Sequence, residues 1–239
     1  MTLIDSRIVI IGGTSGIGLA TAEAAAAAGA AVIVASSRQS SVDAALEHLP
    51  QGATGHVLDV TDPDALQAFF DRVGQFDHLV FTAGENLTFM SLADYDIEQA
   101  RKFLEIRFFR ALEAIHLALP FLSDHGSITL TSGTAGLRPG PGAAVVAAAC
   151  NAMIAACKSL AVELAPVRVN VVVPGIVRSP LWAAMSNEEQ EALYQQSAST
   201  MPVGRVGEPS DIAKAYVYLI DQDYATGTTT VVDGGGILV

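Results

Sequence analysis

The sequence predicts an α/β fold: one doubly wound domain with a mostly parallel sheet and helices on both faces. Three observations predict it. Apolar runs of strand length alternate with helix-forming stretches from one end of the chain to the other. The first run breaks into the glycine-rich turn Gly12-Gly-Thr-Ser-Gly-Ile-Gly18, followed by an alanine-rich stretch. At 239 residues, 51% hydrophobic and 16% charged, the chain suffices for one well-buried domain, 1–239, and falls short of two.

The first strand runs through Ile8 to Ile11, and the helix that follows the turn runs from Leu19 to Ala28 and stops at Gly29. Each glycine of the turn has its own task. Gly12 lets the chain leave the strand sharply, Gly16 lets backbone approach a ligand, and Gly18 lets the helix pack close on the sheet. Free N–H groups and the positive dipole end at the helix start suit a phosphate, so Gly12, Thr14, Ser15, Gly16, Ile17 and Gly18 are candidate nucleotide-binding residues. Strand, turn and helix together specify a Rossmann-type unit.

A second strand, Ala30 to Ala35, ends at Ser36-Ser37-Arg38. An acid there would bind an adenine ribose hydroxyl and repel a 2'-phosphate; none is present. Ser37 and Arg38 therefore favour NADP(H) over NAD(H), or else Arg38 is a solvated surface charge. A helix over 41–49 precedes a third strand, Gly55 to Val60. Asp59, beside Val60, accepts from an adenine amino group, or Asp59 or Asp62 simply caps the next helix, Pro63 to Val73. The fourth strand, Asp77 to Gly84, carries Thr82, Ala83 and Gly84 to its carboxyl end, beside the glycine loop.

A long helix over about 97–119 comes next, then a fifth strand, Gly126 to Ser132, and a Gly/Pro loop, 136–142. The helix from about Ala143 to Leu164 is apolar nearly all round, so burial on more than one side is expected, with another subunit as partner. A sixth strand spans Val167 to Gly175. The irregular stretch 176–207 holds Trp182, Met185, Tyr194 and a helical segment near 187–198, the profile of a lid over a pocket. A helix over 211–221 and a strand over 228–236 complete the alternation.

The net charge of −12, with only 13 scattered Lys and Arg, argues against nucleic acid and against an anionic membrane surface. No basic leader opens the sequence, and Glu, Gly or Lys interrupts the alanine-rich runs before membrane-spanning length. A soluble, cytoplasmic protein acting on a small molecule is expected, with no metal site. Cys150 and Cys157 stand about two helical turns apart, too far for a disulfide, and read as small core residues.

Taken in order, these motifs resemble the short-chain dehydrogenase/reductase family along the entire chain. They are the loop Gly12 to Gly18, Asp59-Val60, Thr82-Ala-Gly84 in place of Asn-Ala-Gly, Ser132, Arg168-Val-Asn170, Pro174-Gly175 with Ser179, Gly204 to Pro209 and Val232 to Gly235. The resemblance implies that Gly12 to Gly18 hold a pyrophosphate, and that Pro174, Gly175, Ile176, Val177 and Ser179 hold a nicotinamide carboxamide. It also implies a homotetramer or homodimer through the two long helices and the last strand, consistent with the apolar terminus Ile237-Leu-Val239.

The family's catalytic set is an Asn on the long helix, a Ser after the fifth strand, and a Tyr and Lys four residues apart. The register set by Leu160 to Leu164 puts Val146 at the Tyr position and Cys150 at the Lys position; a shift of one gives Val145 and Ala149. Lys158 lies roughly 12 Å further along the helix. Ser132 matches, and Arg107 stands at the Asn position, so Ser132 and Arg107 are the candidate catalytic residues. Arg107 is expected to fill the vacated space, bonding Ser132 or the cofactor ribose, or else to pair with Glu105 or another nearby acid. Loss of a general acid lowers a rate by about 10² to 10⁴, and hydride transfer survives it where another proton donor is near. The reading is an NADP(H)-dependent oxidoreductase with a non-standard active site, reducing C=O or C=N of a small, partly apolar substrate, its proton coming from Glu85, Tyr194 or water. The alternative is a catalytically silent nucleotide-binding protein.

Overall fold

A computed structural model describes residues 3–87 and 89–239. Seven strands form its sheet: β1 (Arg7–Ile11), β2 (Ala31–Ser36), β3 (Thr54–Val57), β4 (Phe76–Phe81), β5 (Leu122–Thr131), β6 (Arg168–Pro174) and β7 (Thr229–Val232). Their spatial order is β3-β2-β1-β4-β5-β6-β7, and every neighbouring pair is parallel. The helices are α1 (Gly16–Ala27), α2 (Gln39–His48), α3 (Pro63–Val73), α4 (Ile97–Leu104), α5 (Arg110–Ala118), α6 (Ala144–Glu163), α7 (Asn187–Thr200) and α8 (Pro209–Asp221).

Successive strand residues face opposite layers, and both layers are closed by helices, which is why the strands read as continuous apolar runs. Val9 and Ile11 join Phe70, Ile115 and Cys157 in one core. Ile8 and Ile10 join Ala22, Tyr216 and Leu219 in the other. Between them, Tyr216 hydroxyl and Thr131 Oγ1 lie 2.6 Å apart, and Thr131 donates to the Phe81 carbonyl at 2.6 Å. That chain of bonds ties α8 to the carboxyl ends of β4 and β5.

The doubly wound architecture predicted from the alternation is present; element ends shift, β5 beginning at Leu122 and β7 covering only Thr229–Val232, and larger differences concern β3, the long helix and α6. β3 ends at Val57, and Asp59 lies beyond it in a turn where its carboxylate accepts from Thr61 N and Oγ1 at 2.9 and 2.7 Å. Asp62 takes the capping task, accepting from Asp64 N and Ala65 N at 3.0 and 3.2 Å. The long helix over 97–119 is broken by a wide π turn over Glu105–Phe109 and ends in a tight turn, Leu119–Phe121, around Pro120. α6 buries one side only: Val146, Ala149, Met153, Ile154, Cys157 and Ala161 face inward, while Ala144, Ala148, Ala155 and Val162 face out, Val162 being 82% exposed. By length and composition α6 also meets the requirement for a membrane span, against the expectation that alanine-rich runs stop short, because Lys158 is its one charge before Glu163 and the few polar residues leave it apolar on average. Its inner face nevertheless packs on β6.

Candidate active site

Because all strands run parallel, their carboxyl ends share one edge, and the backbone turns leaving that edge build the site. Gly12 leaves β1 with φ +87° and packs so tightly on the turn after β4 that an added Cβ would lie 2.6 Å from Ala83 N. At Gly18 an added Cβ would stand 2.2 Å from the Gly12 carbonyl and 2.6 Å from Thr82 Oγ1. Thr82 is fixed in turn, its N and Oγ1 both bonding the Ile11 carbonyl at 2.9 and 3.2 Å. Thr82, Ala83 and the glycine loop are therefore one packed unit.

Ser15 precedes α1 without bonding any of its first amides, whereas Asp62, Asp96 and Ser186 do cap α3, α4 and α7. The first turn of α1 also contains no acid. Its N–H groups and dipole thus remain open to an anion, and the turn Thr14 to Ile17 fits a dinucleotide pyrophosphate. Ser37 and Arg38, both exposed, stand at the end of β2 next to this loop, since Gly12 N donates to the Ala35 carbonyl at 2.9 Å. Val60 is buried beyond β3.

On the other side of the loop, Pro174 ends β6 and Gly175 passes so close to β7 that a Cβ would meet Asp233 Cα at 2.8 Å. Ile176, Val177 and Arg178 clasp Gly207: Gly207 N donates to the Ile176 carbonyl and Arg178 N to the Gly207 carbonyl, each at 2.9 Å. The stretch 176–207 is thus a loop closed at its base, with α7 within it. Its first turn reaches over the nucleotide loop, where a Cβ on Gly16 would lie 3.3 Å from Pro180 Cδ and 3.4 Å from Ser179 Cβ. With its amide nitrogen turned toward them, Asn86 donates to the Pro180 and Leu181 carbonyls at 3.2 and 3.3 Å. No sequence signal marks Asn86, since its acceptors are backbone atoms of a distant loop.

At the end of β5, Ser132 Oγ donates to the Cys150 carbonyl at 2.9 Å. Burial pushes the Cys150 thiol pKa up, while the Ser132 hydroxyl and the Arg107 guanidinium pull it back. Val146 is 1% exposed and belongs to an apolar cluster with Phe103 and Ala149. Neither Val146 nor Cys150 supplies a proton donor of ordinary acidity.

Arg107 points from the π turn into this region, though not to the partners expected for it. Its Nη2 donates to the Glu85 carbonyl, its Cζ lies 4.9 Å from the Phe103 ring centroid, and a Cβ on Gly84 would stand 2.9 Å from Cζ and Nη1. Ser132 is engaged with Cys150, and Glu105 pairs with Arg110 at 2.8 Å, so neither bonds Arg107. Burial lowers the Arg107 pKa, countered by Cys150 and Glu85. The i,i+4 spacing of Phe103 and Arg107 was the available signal for their stacking.

Two of the proposed proton sources face elsewhere. The Glu85 carboxylate pairs with Lys102 at 3.3 Å. Tyr194 is buried beneath the Arg178 guanidinium, 4.4 Å from its ring centroid, beside a cavity of about 160 Å³ that Arg205 and Glu208 also line.

Comparison with known proteins adds to this geometry. The sequence pattern of the family described as Enoyl-(Acyl carrier protein) reductase matches residues 12–236. The chain is 35% identical to the short-chain dehydrogenase/reductase ATR9 of Stachybotrys chlorohalonatus, over 99% of each chain. It is similar to a small-chain dehydrogenase crystallised in complex with NADPH, at 34% identity, TM-score 0.83, and 98% and 99% coverage of the two chains. Its fold also matches the MalC reductase/Diels-Alderase of Malbranchea aurantiaca, with TM-score 0.91, 29% identity, and 99% and 98% coverage.

Proposed function

The chain belongs to the short-chain dehydrogenase/reductase family, and from that premise we propose that it is an NADP(H)-dependent oxidoreductase reducing a C=O or C=N bond of a small, partly apolar substrate at a non-standard active site. The observation that carries this reading is the uncapped start of α1 packed on Thr82-Ala83, with a clamped guanidinium at the end of the same cleft. The relative crystallised with NADPH supports the choice of cofactor, as do Ser37 and Arg38 in a strand end without an acid.

In this reading Gly12, Thr14, Ser15, Gly16, Ile17 and Gly18 hold the pyrophosphate. Arg38 and Ser37 meet the 2'-phosphate, Asp59 and Val60 flank the adenine, and Thr82 to Gly84 floor the cleft. Pro174 to Val177 with Ser179 hold the carboxamide. The cofactor, when bound, supplies the hydride. Val146 and Cys150 stand where the family's Tyr and Lys would, so Ser132, by turning its hydroxyl from the Cys150 carbonyl to the substrate oxygen, polarises the substrate, and Arg107 provides the positive charge that Lys would otherwise bring. A substrate that arrives protonated, such as an iminium, needs no acid during reduction, and a ketone draws its proton from water. The segment 176–207 acts as the lid.

We also propose a cytoplasmic homotetramer or homodimer joined through the outward face of α6, without nucleic acid or membrane partners. The test of function is NADPH consumption against panels of ketones and cyclic imines, with cofactor affinity measured in parallel. Turnover that falls at least about tenfold in Arg107→Ala supports the reading. Tight cofactor binding without turnover on any member favours the silent nucleotide-binding protein instead.

A further inference from the structure

Arg107 is a half-buried cation with no carboxylate in ion-pair contact among the described residues. Its only hydrogen bond among them goes to the Glu85 carbonyl. Its Nε is sealed from solvent with no hydrogen-bond partner, while Nη1, also unbonded, is not sealed.

The other inward arginines are treated differently. Arg168 donates to three carbonyls, those of Leu219, Ile220 and Ala225. Arg110 shares a sealed Nε without a hydrogen bond, but it has carboxylates beside it, pairing with Glu105 and Glu113. Glu85, the carboxylate whose charge reaches Arg107, pairs with Lys102, and Glu105 pairs with Arg110. The thiol of Cys150 is kept neutral by its surroundings. A buried guanidinium that lacks its complement of acceptors is costly, and a charged acceptor relieves that cost most effectively.

We infer that the missing partner is an anionic oxygen on the substrate. The proposal rests on the reading of the Ser132 end of the cleft as the substrate site, and it names the substrate class: an apolar molecule bearing a carboxylate or an enolised 1,3-dicarbonyl. The surroundings fit such a ligand. The Phe103 ring beneath the guanidinium, with Leu87, Leu104 and Val145 in the same cluster, lowers the local dielectric and strengthens an ion pair made there. Gly84 on one face and Phe103 near by hold the guanidinium in place before the ligand arrives, so little side-chain freedom remains to be lost.

The test is calorimetric titration of the ligand-free protein with benzoate and with benzamide, its uncharged counterpart. A second arm compares dimedone, as its enolate, with 3,3-dimethylcyclohexanone. The expected result is that one anion binds at least about tenfold more tightly than its neutral counterpart, and that the preference is lost in Arg107→Gln and kept in part in Arg107→Lys. The arm with the larger preference identifies the acid. Equal affinities in both arms, or a preference that survives Arg107→Gln, overturn the proposal. The wild-type comparison needs no variant to fold. Failure of turnover leaves this result standing, since no cofactor is present. Normal turnover of uncharged ketones with no anion preference overturns the inference alone.

Discussion

The guanidinium of Arg107 lies directly against Gly84: a Cβ added to that glycine would come within 2.9 Å of Cζ. Gly84 has no left-handed backbone requirement, as it is absent from the positive-φ glycines, so the space alone accounts for the residue here. The glycine after β4 and the arginine of the π turn thus form a single device.

Gly84→Ala should therefore displace Arg107 rather than unfold the chain. The obstructing atoms belong to the end of a long side chain, so the loss of stability is expected to stay within about 1 kcal/mol. Turnover should fall by the same factor as in Arg107→Ala. Urea unfolding alongside steady-state kinetics separates the two effects, and a large stability loss with unchanged turnover contradicts the coupling.

Arg38→Asp tests the cofactor assignment. An acid at the end of β2 repels a 2'-phosphate and accepts from a ribose hydroxyl, so NADPH affinity should fall at least about tenfold and NADH affinity should rise. Fluorescence titration with both nucleotides measures the exchange. An unchanged ratio leaves Arg38 as a solvated charge.

Stability should depend on pH through His78. Burial holds its pKa down to about 4 from 6.5, with Nδ1 2.9 Å from Ser127 Oγ. Between those values the unfolded chain takes up a proton that the folded chain refuses. Stability is therefore complete above pH 6.5 and is lost progressively as pH falls toward 4, by at most about 3 kcal/mol. His56, also lowered by burial, adds in the same direction. Asp211, held at about 2 from 3.8 by its bond to Arg205, loses its contribution only below that window. Denaturant midpoints across pH 4 to 7 should show a shallower slope in His78→Asn.

The outward face of α6 predicts self-association. Ala144, Ala148, Ala155 and Val162 are small or apolar and exposed on this face, with Asn151, Lys158 and Ser159 between them, which leaves room for close approach of a second helix. Light scattering should give a mass above that of one chain, and Ala155→Arg should reduce it by placing a bulky charge on this face. A monomeric wild type at micromolar concentration contradicts this assembly.

The strands were legible because fully buried parallel strands must be continuous apolar runs, and runs such as Ile8 to Ile11 and Val171 to Val173 leave no other reading. Their ends were less so: β3 stops before Asp59 because that carboxylate prefers the Thr61 turn, a local competition invisible in hydropathy. The π turn was hidden too, since Glu105 to Phe109 contain no Gly or Pro to mark it. Arg107 could be singled out from its position in the chain. Its partner could not, because a backbone carbonyl in a loop carries no residue identity. Ser132 and the glycine loop were named from motif and turn chemistry; Phe103 was within reach through its i,i+4 spacing to Arg107, whereas Asn86 emerged only from its distances.

The central claim is that the cleft along the strand ends holds a pyridine dinucleotide, and calorimetric titration of the purified protein with NADPH tests it most directly. Binding with micromolar or lower Kd is predicted, and it should be lost in Gly18→Ala, whose Cβ would meet the Gly12 carbonyl at 2.2 Å. Absence of binding by NADPH, NADP+, NADH and NAD+ alike to the folded wild-type protein would contradict the account.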